Sequence, residues 1–213
     1  MSKVGVIPSG ARDLLSARES VGMLLALAAV IALAPSLRAQ QYVATLDAAQ
    51  TKIEYSVDSS LHTVHGTFAL KNGEIHFDPS SGKASGRIVV DATSGDSGNK
   101  SRDKKMHQEI LESKKYPEIV FTPQQVTGTF NPHAASQLEI SGIFQLRGQD
   151  HPLTATISVE PPEGAVAHST VHFTVPYIKW GLKDPSTWLL HASDTVNLEI
   201  QATAKLTSDQ PPH

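Results

Sequence analysis

Gly95-Asp96-Ser97-Gly98 has the residue types of a reactive site, because the same four residues surround the nucleophile of some serine hydrolases. A serine hydroxyl attacks only beside a base that takes its proton, and here no Gly-Pro follows and no recognisable His and Asp context completes a triad. Gly98-Asn99-Lys100-Ser101 nearly spells the end of a phosphate-binding loop, but Asn99 separates Gly98 from Lys100, and such a loop needs a parallel strand-loop-helix unit. A Gly/Ser turn leading into a capped helix accounts for both stretches. The ten histidines invite a metal site, yet His62 and His65 are three apart, which on a strand sends them to opposite faces. No His-Glu-x-x-His occurs, and His107 has no second histidine one helical turn away, so scattered surface or core histidines are the better reading. Asp103 with Glu109 or Glu112 is offered as an acid/base pair, but a helical context gives them the roles of dipole complement and solvated face.

The informative chemistry is apolar, and it depends on the elements that would gather it. Residues 101–115 are predicted to form the one helix of the mature chain: Ser101 caps it, Asp103 sits in its first turn, Lys114 and Lys115 in its last, and Pro117 ends it. Met106, Ile110 and Leu111 give that helix one apolar stripe to bury. Everything else from Tyr42 onward alternates with period two. Ile53, Tyr55 and Val57 share a strand face, as do Val64, Gly66, Phe68 and Leu70; Ile75 with Phe77 and Ile88 with Val90 follow. Further faces run through Ile119 and Phe121, Leu138 to Leu146, Leu153 to Val159, Val171 to Val175, and Val196 to Leu206. Asn72-Gly73 is the strongest hairpin signal, with other turns at Asp78-Pro79, Asn131-Pro132, Gly148 and Pro161-Pro162. Eight or nine strands joined by short turns make an antiparallel barrel or sandwich, with a lone helix lying on the sheet or closing a barrel mouth.

Composition narrows the partners. Val21–Ala34 is an apolar run preceded by Arg12 and Arg18, too short for a spanning helix and the right length for a signal peptide, so residues 1–39 are expected to be a leader and the body to be exported. The chain carries a net charge of −3; the leader contributes +2 (Lys3, Arg12, Arg18 and Arg38 against Asp13 and Glu19), which leaves −5 on the body. An acidic body argues against nucleic acid. The absence of cysteine removes disulfides, thiolate metal sites and dithiol redox chemistry. Residues 40–208 read as one domain, and 209–213 as a disordered tail.

A small closed barrel either fills its interior with side chains or leaves room for one ligand. Phe68, Phe77, Phe121, Phe144, Phe173 and Trp180 are candidates to line such an interior, with Gly66 and Gly142 leaving space between them. An ordinary packed core fits the same pattern.

The order of several short motifs resembles the YceI-like lipid-binding family. These are Val64-His65-Gly66-Thr67-Phe68, Gly73-Glu74-Ile75-His76-Phe77-Asp78, and Arg102-Asp103 with a following helix and Tyr116-Pro117-Glu118-Ile119-Val120-Phe121. Gly142 to Gly148 and Ile178-Lys179-Trp180-Gly181-Leu182 look like its second-half and closing signatures. The resemblance spans about residues 42–206. It implies an all-β, eight-stranded antiparallel lipocalin-like barrel with one covering helix, and an isoprenoid-type or other amphiphilic lipid as ligand in place of any cofactor. Tail contacts would then come from Phe68, Phe77, Met106, Ile110, Leu111, Phe121, Phe144, Leu146, Phe173 and Trp180, and the head group would lie near Arg102 and His107. It further implies a non-catalytic carrier in the periplasm or secreted, often a homodimer, with transient membrane contact. The alternatives are a secreted hydrolase or metal-dependent enzyme, and a filled β-sandwich without a ligand. The chain departs from the family in carrying Ile110 and Leu111 where aromatics are common, and Tyr177 where an arginine is common.

Overall fold

The structure is a computed structural model, and it describes residues 41–187 and 191–208. The leader expected at 1–39 and the tail expected at 209–213 lie outside the described residues. Nine strands, all paired antiparallel, close on themselves: β1 (Tyr42–Leu46), β2 (Lys52–Val57), β3 (Val64–Phe77), β4 (Ala84–Asp96), β5 (Glu118–Gly128), β6 (Ser136–Leu146), β7 (Gln149–Val159), β8 (Val166–Val175) and β9 (Val196–Ser208). Nine strands fill eight positions. β1 pairs with 74–77 of β3 and 204–208 of β9, while β2 pairs with 64–68 of β3 and 197–201 of β9, so the two short strands share one place in the wall. Between them the chain breaks at Asp47, whose carboxylate accepts from the backbone N–H of Ala49 and Gln50.

The Asn72-Gly73 hairpin expected from sequence does not form. β3 runs straight through both residues, because β1 and β4 hold ladders on either side of it. Gly73 is there for room: a Cβ at this position would come within 2.4 Å of Leu46 Cδ1, and a register shift against β4 falls between Leu70 and Asn72. The nearest true hairpin follows at Asp78, whose carboxylate accepts from the N–H and hydroxyl groups of Ser80 and Ser81 and is held down to a pKa of about 2 by those bonds.

The helix is shorter than 101–115 and starts one cap earlier. Asn99, not Ser101, is the N-cap: its Oδ1 accepts from the N–H of Ser101 and Arg102 at 3.1 Å each. α1 spans Lys100–Lys105 and widens into a π-helical turn, Met106–Ile110. Glu112, at φ 49°, stops it, so Lys114 and Lys115 lie beyond the helix. Among the described residues no helix is long and apolar enough to cross a membrane.

Alternation of the meander puts the β2–β3, β4–β5, β6–β7 and β8–β9 connections at one end of the barrel, with α1 among them. The β6–β7 connection there is two residues, Arg147 and Gly148, at φ 52° and 72°. Both central residues in the left-handed region define a type I′ turn, which matches the strand twist. At the opposite end Tyr42, Phe77 and Phe130 close on one another with ring centroids 5.0–5.4 Å apart.

Candidate lipid-binding hollow

Inward positions alternate along every strand, so Leu138, Ile140, Phe144 and Leu146 of β6 and Leu153, Ala155, Ile157 and Val159 of the neighbouring β7 lie side by side on one wall and all point into the interior. In a filled core such side chains would be sealed by one another. Here Phe68, Phe121, Ile157, Val171, Phe173 and Leu198 all point inward and are only half-buried. They face a hollow of about 750 Å³, within the roughly 300–1,000 Å³ usual for a small-molecule site. It extends from Phe130 and Leu206 at the aromatic end to Arg102 and Lys105 at the helix end. An eleven-residue strand such as β6 is about 34 Å long, and with the usual barrel tilt the wall stands roughly 25 Å tall.

Away from one end the lining is apolar but for Thr51 and Ser169. Ser59 and His62 from the β2–β3 connection, Asn99, Ser101, Arg102 and Lys105 from around α1, and Thr187 from the β8–β9 connection gather there. His62, Asn99, Ser101 and Thr187 are solvent-exposed as well as lining, so the hollow opens between these three segments. Two of them are tied together by Lys105 Nζ, which donates to the Pro185 carbonyl at 2.8 Å, and by the ion pair of Lys183 with Glu109. Below the rim, Tyr55 donates to Met106 Sδ and tilts against Phe68. Burial raises the Tyr55 phenol pKa, Asp103 raises it further and Arg102 opposes.

Nine of the ten positions named from sequence for the tail line this hollow: Phe68, Phe77, Met106, Ile110, Leu111, Phe121, Phe144, Leu146 and Phe173. Trp180 does not. After Val175 the chain turns over the rim, and Trp180 stacks on His151 (centroids 4.2 Å apart, planes within 4°) behind Phe144. Arg102 lines the mouth, but His107 is spent on structure: its Nε2 donates to the Gly95 carbonyl at 2.9 Å and its Nδ1 accepts from the buried Ser113 hydroxyl at 3.0 Å. Nor do the two glycines leave space. The Tyr55 ring covers Gly66, and the Thr122 carbonyl would lie 2.2 Å from a Cβ on Gly142. Sequence reasoning missed Lys105 and Phe130. Lys105 follows Arg102 by three on the helix and so shares its face, a usable signal; Phe130 was hidden in a turn-like Phe-Asn-Pro stretch.

Ser97 is engaged as well. Its hydroxyl donates to Asp103 and accepts from Arg102 Nε at 2.8 Å, which fixes the approach to α1. Among the described residues no three His, Asp or Glu side chains cluster as metal ligands would.

The profile of the YceI-like domain matches residues 45–204. The chain belongs to the YceI-like family. Solved structures share this fold. They include Burkholderia cenocepacia BcnA (TM-score 0.62, 17% identity, covering 75% of this chain and 99% of that one) and a polyisoprenoid-binding domain of Saccharophagus degradans implicated in plant cell wall breakdown (0.55, 14%, 78% and 98%). A Campylobacter jejuni YceI protein is also similar (0.51, 17%, 65% and 81%). At such identities the likeness is one of fold. No curated protein sequence matches the chain. Within the YceI-like barrel, the α1 end is where the hollow opens to water.

Proposed function

We propose that this YceI-like protein is a non-catalytic carrier that sequesters an isoprenoid-type or other long-chain amphiphile, working outside the cytoplasm. The observation that carries the reading is the hollow itself: continuous, lined mainly by apolar side chains along its length, and charged only at its mouth. The polyisoprenoid-binding domain with the same fold supports the choice of ligand, and the apolar run at Val21–Ala34 supports export. The energetics are sufficient. Burying a five-carbon unit is worth about 4 kcal/mol at ~0.8 kcal/mol per methylene. Association costs on the order of 4–15 kcal/mol. Three to six units therefore reach about −8 kcal/mol, roughly micromolar binding, with no polar contact at all. The tail would lie along Phe121, Phe173 and Phe77, with the head at Arg102. Leu61, 77% exposed at the tip of the β2–β3 connection, is suited to touch a membrane while the mouth loads. Lipid extraction and mass spectrometry of protein made in its native host test the reading. A reproducible long-chain species is expected; protein that arrives empty and takes up no fluorescent lipid saturably overturns it.

A further inference from the structure

The charged side chains that line the hollow are of one sign only. Arg102 and Lys105, three apart on α1, are the charged residues that line it, and no aspartate or glutamate does. Elsewhere in the described barrel, Lys71, Arg87, Arg147 and Lys183 each pair with a glutamate. Arg102 and Lys105 make no such pair among the described residues. They are held by neutral acceptors instead: Arg102 Nε and Nη2 donate to the Ser97 hydroxyl and carbonyl at 2.8 Å, and Lys105 Nζ donates to the Pro185 carbonyl. Being made to neutral acceptors, these bonds fix both side chains without themselves neutralising either charge, and leave Arg102 Nη1 and the remaining Lys105 hydrogens to donate. The neighbouring carboxylates bond elsewhere, Asp103 to Ser97, Asp184 to Ser186 and Glu109 to Lys183, although Asp184 and Glu109 lie near enough to Lys105 to feel its charge.

We propose that the ligand is an anionic amphiphile whose acidic head, a phosphoryl or carboxylate group, is held between Arg102 and Lys105 at the mouth. The inference rests on the tail-binding reading and adds the class of head. An alcohol or quinone head needs one or two ordinary donors. Two unpaired cations at the rim of an apolar hollow gain most from an anion, which makes the shorter and stronger charge-assisted bonds with both.

The test compares three probes with one tail, geranylgeranyl phosphate, geranylgeranoic acid and geranylgeraniol, on the delipidated protein. At least one acid is expected to bind ten-fold or more tightly than the alcohol at 50 mM salt, with the gap narrowing at 500 mM. A phosphate preferred over the carboxylate assigns a phosphoryl head; equal binding assigns acidic heads in general. In the Arg102→Gln/Lys105→Gln variant the ratio of acid to alcohol affinity falls towards one, whereas exposed Lys104→Gln keeps it. An alcohol that binds as tightly as both acids, a gap indifferent to salt, or a preference that survives the double variant overturns the proposal and leaves the tail-binding reading standing. Failure of all three probes to bind removes both. If the double variant does not fold, the salt dependence of the unaltered protein decides.

Discussion

Glu112 and Arg147 form an ion pair, and among the described residues they are the two non-glycine positions with a left-handed backbone, at φ 49° and 52°. Each sits where the chain must reverse. Glu112 stops the π-helical turn, and its carbonyl accepts from the N–H of Lys115 and Tyr116 to start the path into β5. Arg147 opens the type I′ turn between β6 and β7. The pair thus fastens the end of the lid to the rim of the wall, at two places where the backbone is paying strain of about 1–2 kcal/mol per residue.

The turn, rather than the ion pair, is expected to dominate at Arg147. A pair exposed to this degree is worth about 0–1 kcal/mol, and asparagine before Gly148 relieves a comparable cost. Arg147→Asn should therefore stay within about 0.5 kcal/mol of the parent protein, while Arg147→Val, which loses the pair and puts a β-branched residue in the left-handed region, should lose about 2 kcal/mol. That corresponds to a Tm lower by roughly 4–8 °C in thermal melts. An Arg147→Asn variant as damaged as Arg147→Val would show that the ion pair matters more.

Tyr177 sets an alkaline limit. Burial, and after it Asp184 and Asp194, push its phenol up to about 12, and its hydroxyl donates to the Ser193 carbonyl at 2.8 Å. The folded protein holds this proton more tightly than the unfolded chain, where a tyrosine loses it near pH 10. Stability from Tyr177 is therefore complete below pH 10 and is lost as the pH rises towards 12. Tyr177→Phe should melt at a temperature less dependent on pH over that interval, with Tyr55 and Lys115, both shifted the same way, contributing to the remaining decline. Identical pH slopes for the two proteins would contradict the assignment.

His151 Nε2 is buried without a hydrogen-bond partner among the described residues, though its ring stacks well on Trp180. Phenylalanine keeps the stacking and removes the orphaned nitrogen, whose desolvation costs about 1–3 kcal/mol. His151→Phe should raise the Tm by roughly 2–4 °C, which calorimetry would detect. A lower Tm would mean that the nitrogen is solvated or bonded in solution.

The barrel was legible in the sequence because its signal is repeated: Leu138, Ile140, Phe144 and Leu146 alternate, and so do their partners on every neighbouring strand. The same alternation picked out the residues that face the hollow, since inward and lining mean the same thing in a barrel. Whether they meet across it was not legible. Periodicity gives direction, and the distance across the interior depends on how eight strand positions close. Single-residue features failed where long-range contact overrules local preference. Asn72-Gly73 prefers a turn but is held straight by two ladders, and Trp180 lies wherever the 176–182 turn carries it. The cap moved from Ser101 to Asn99 because both residue types serve, and only the approach fixed by Ser97, Arg102 and Asp103 selects between them.

A hollow and a packed core answer differently to an enlarged side chain. In a close-packed interior, adding a ring in place of a methyl forces off-rotamer neighbours and costs typically 1–3 kcal/mol or more. Ala202, on β9, faces inward and lines the hollow. In Ala202→Phe the new ring has empty space to enter and gains apolar burial there, so its stability should stay within about 1 kcal/mol of the parent. Its capacity for a long tail should fall at least ten-fold, because the ring occupies the volume that the tail would take. A shorter-tailed probe such as farnesyl phosphate, one isoprene unit shorter than geranylgeranyl phosphate, should lose less. Denaturant unfolding and probe titration measured on the same preparation separate the outcomes: a variant that unfolds easily means the interior is filled, whereas one that is stable yet binds the long tail as before means the tail lies elsewhere.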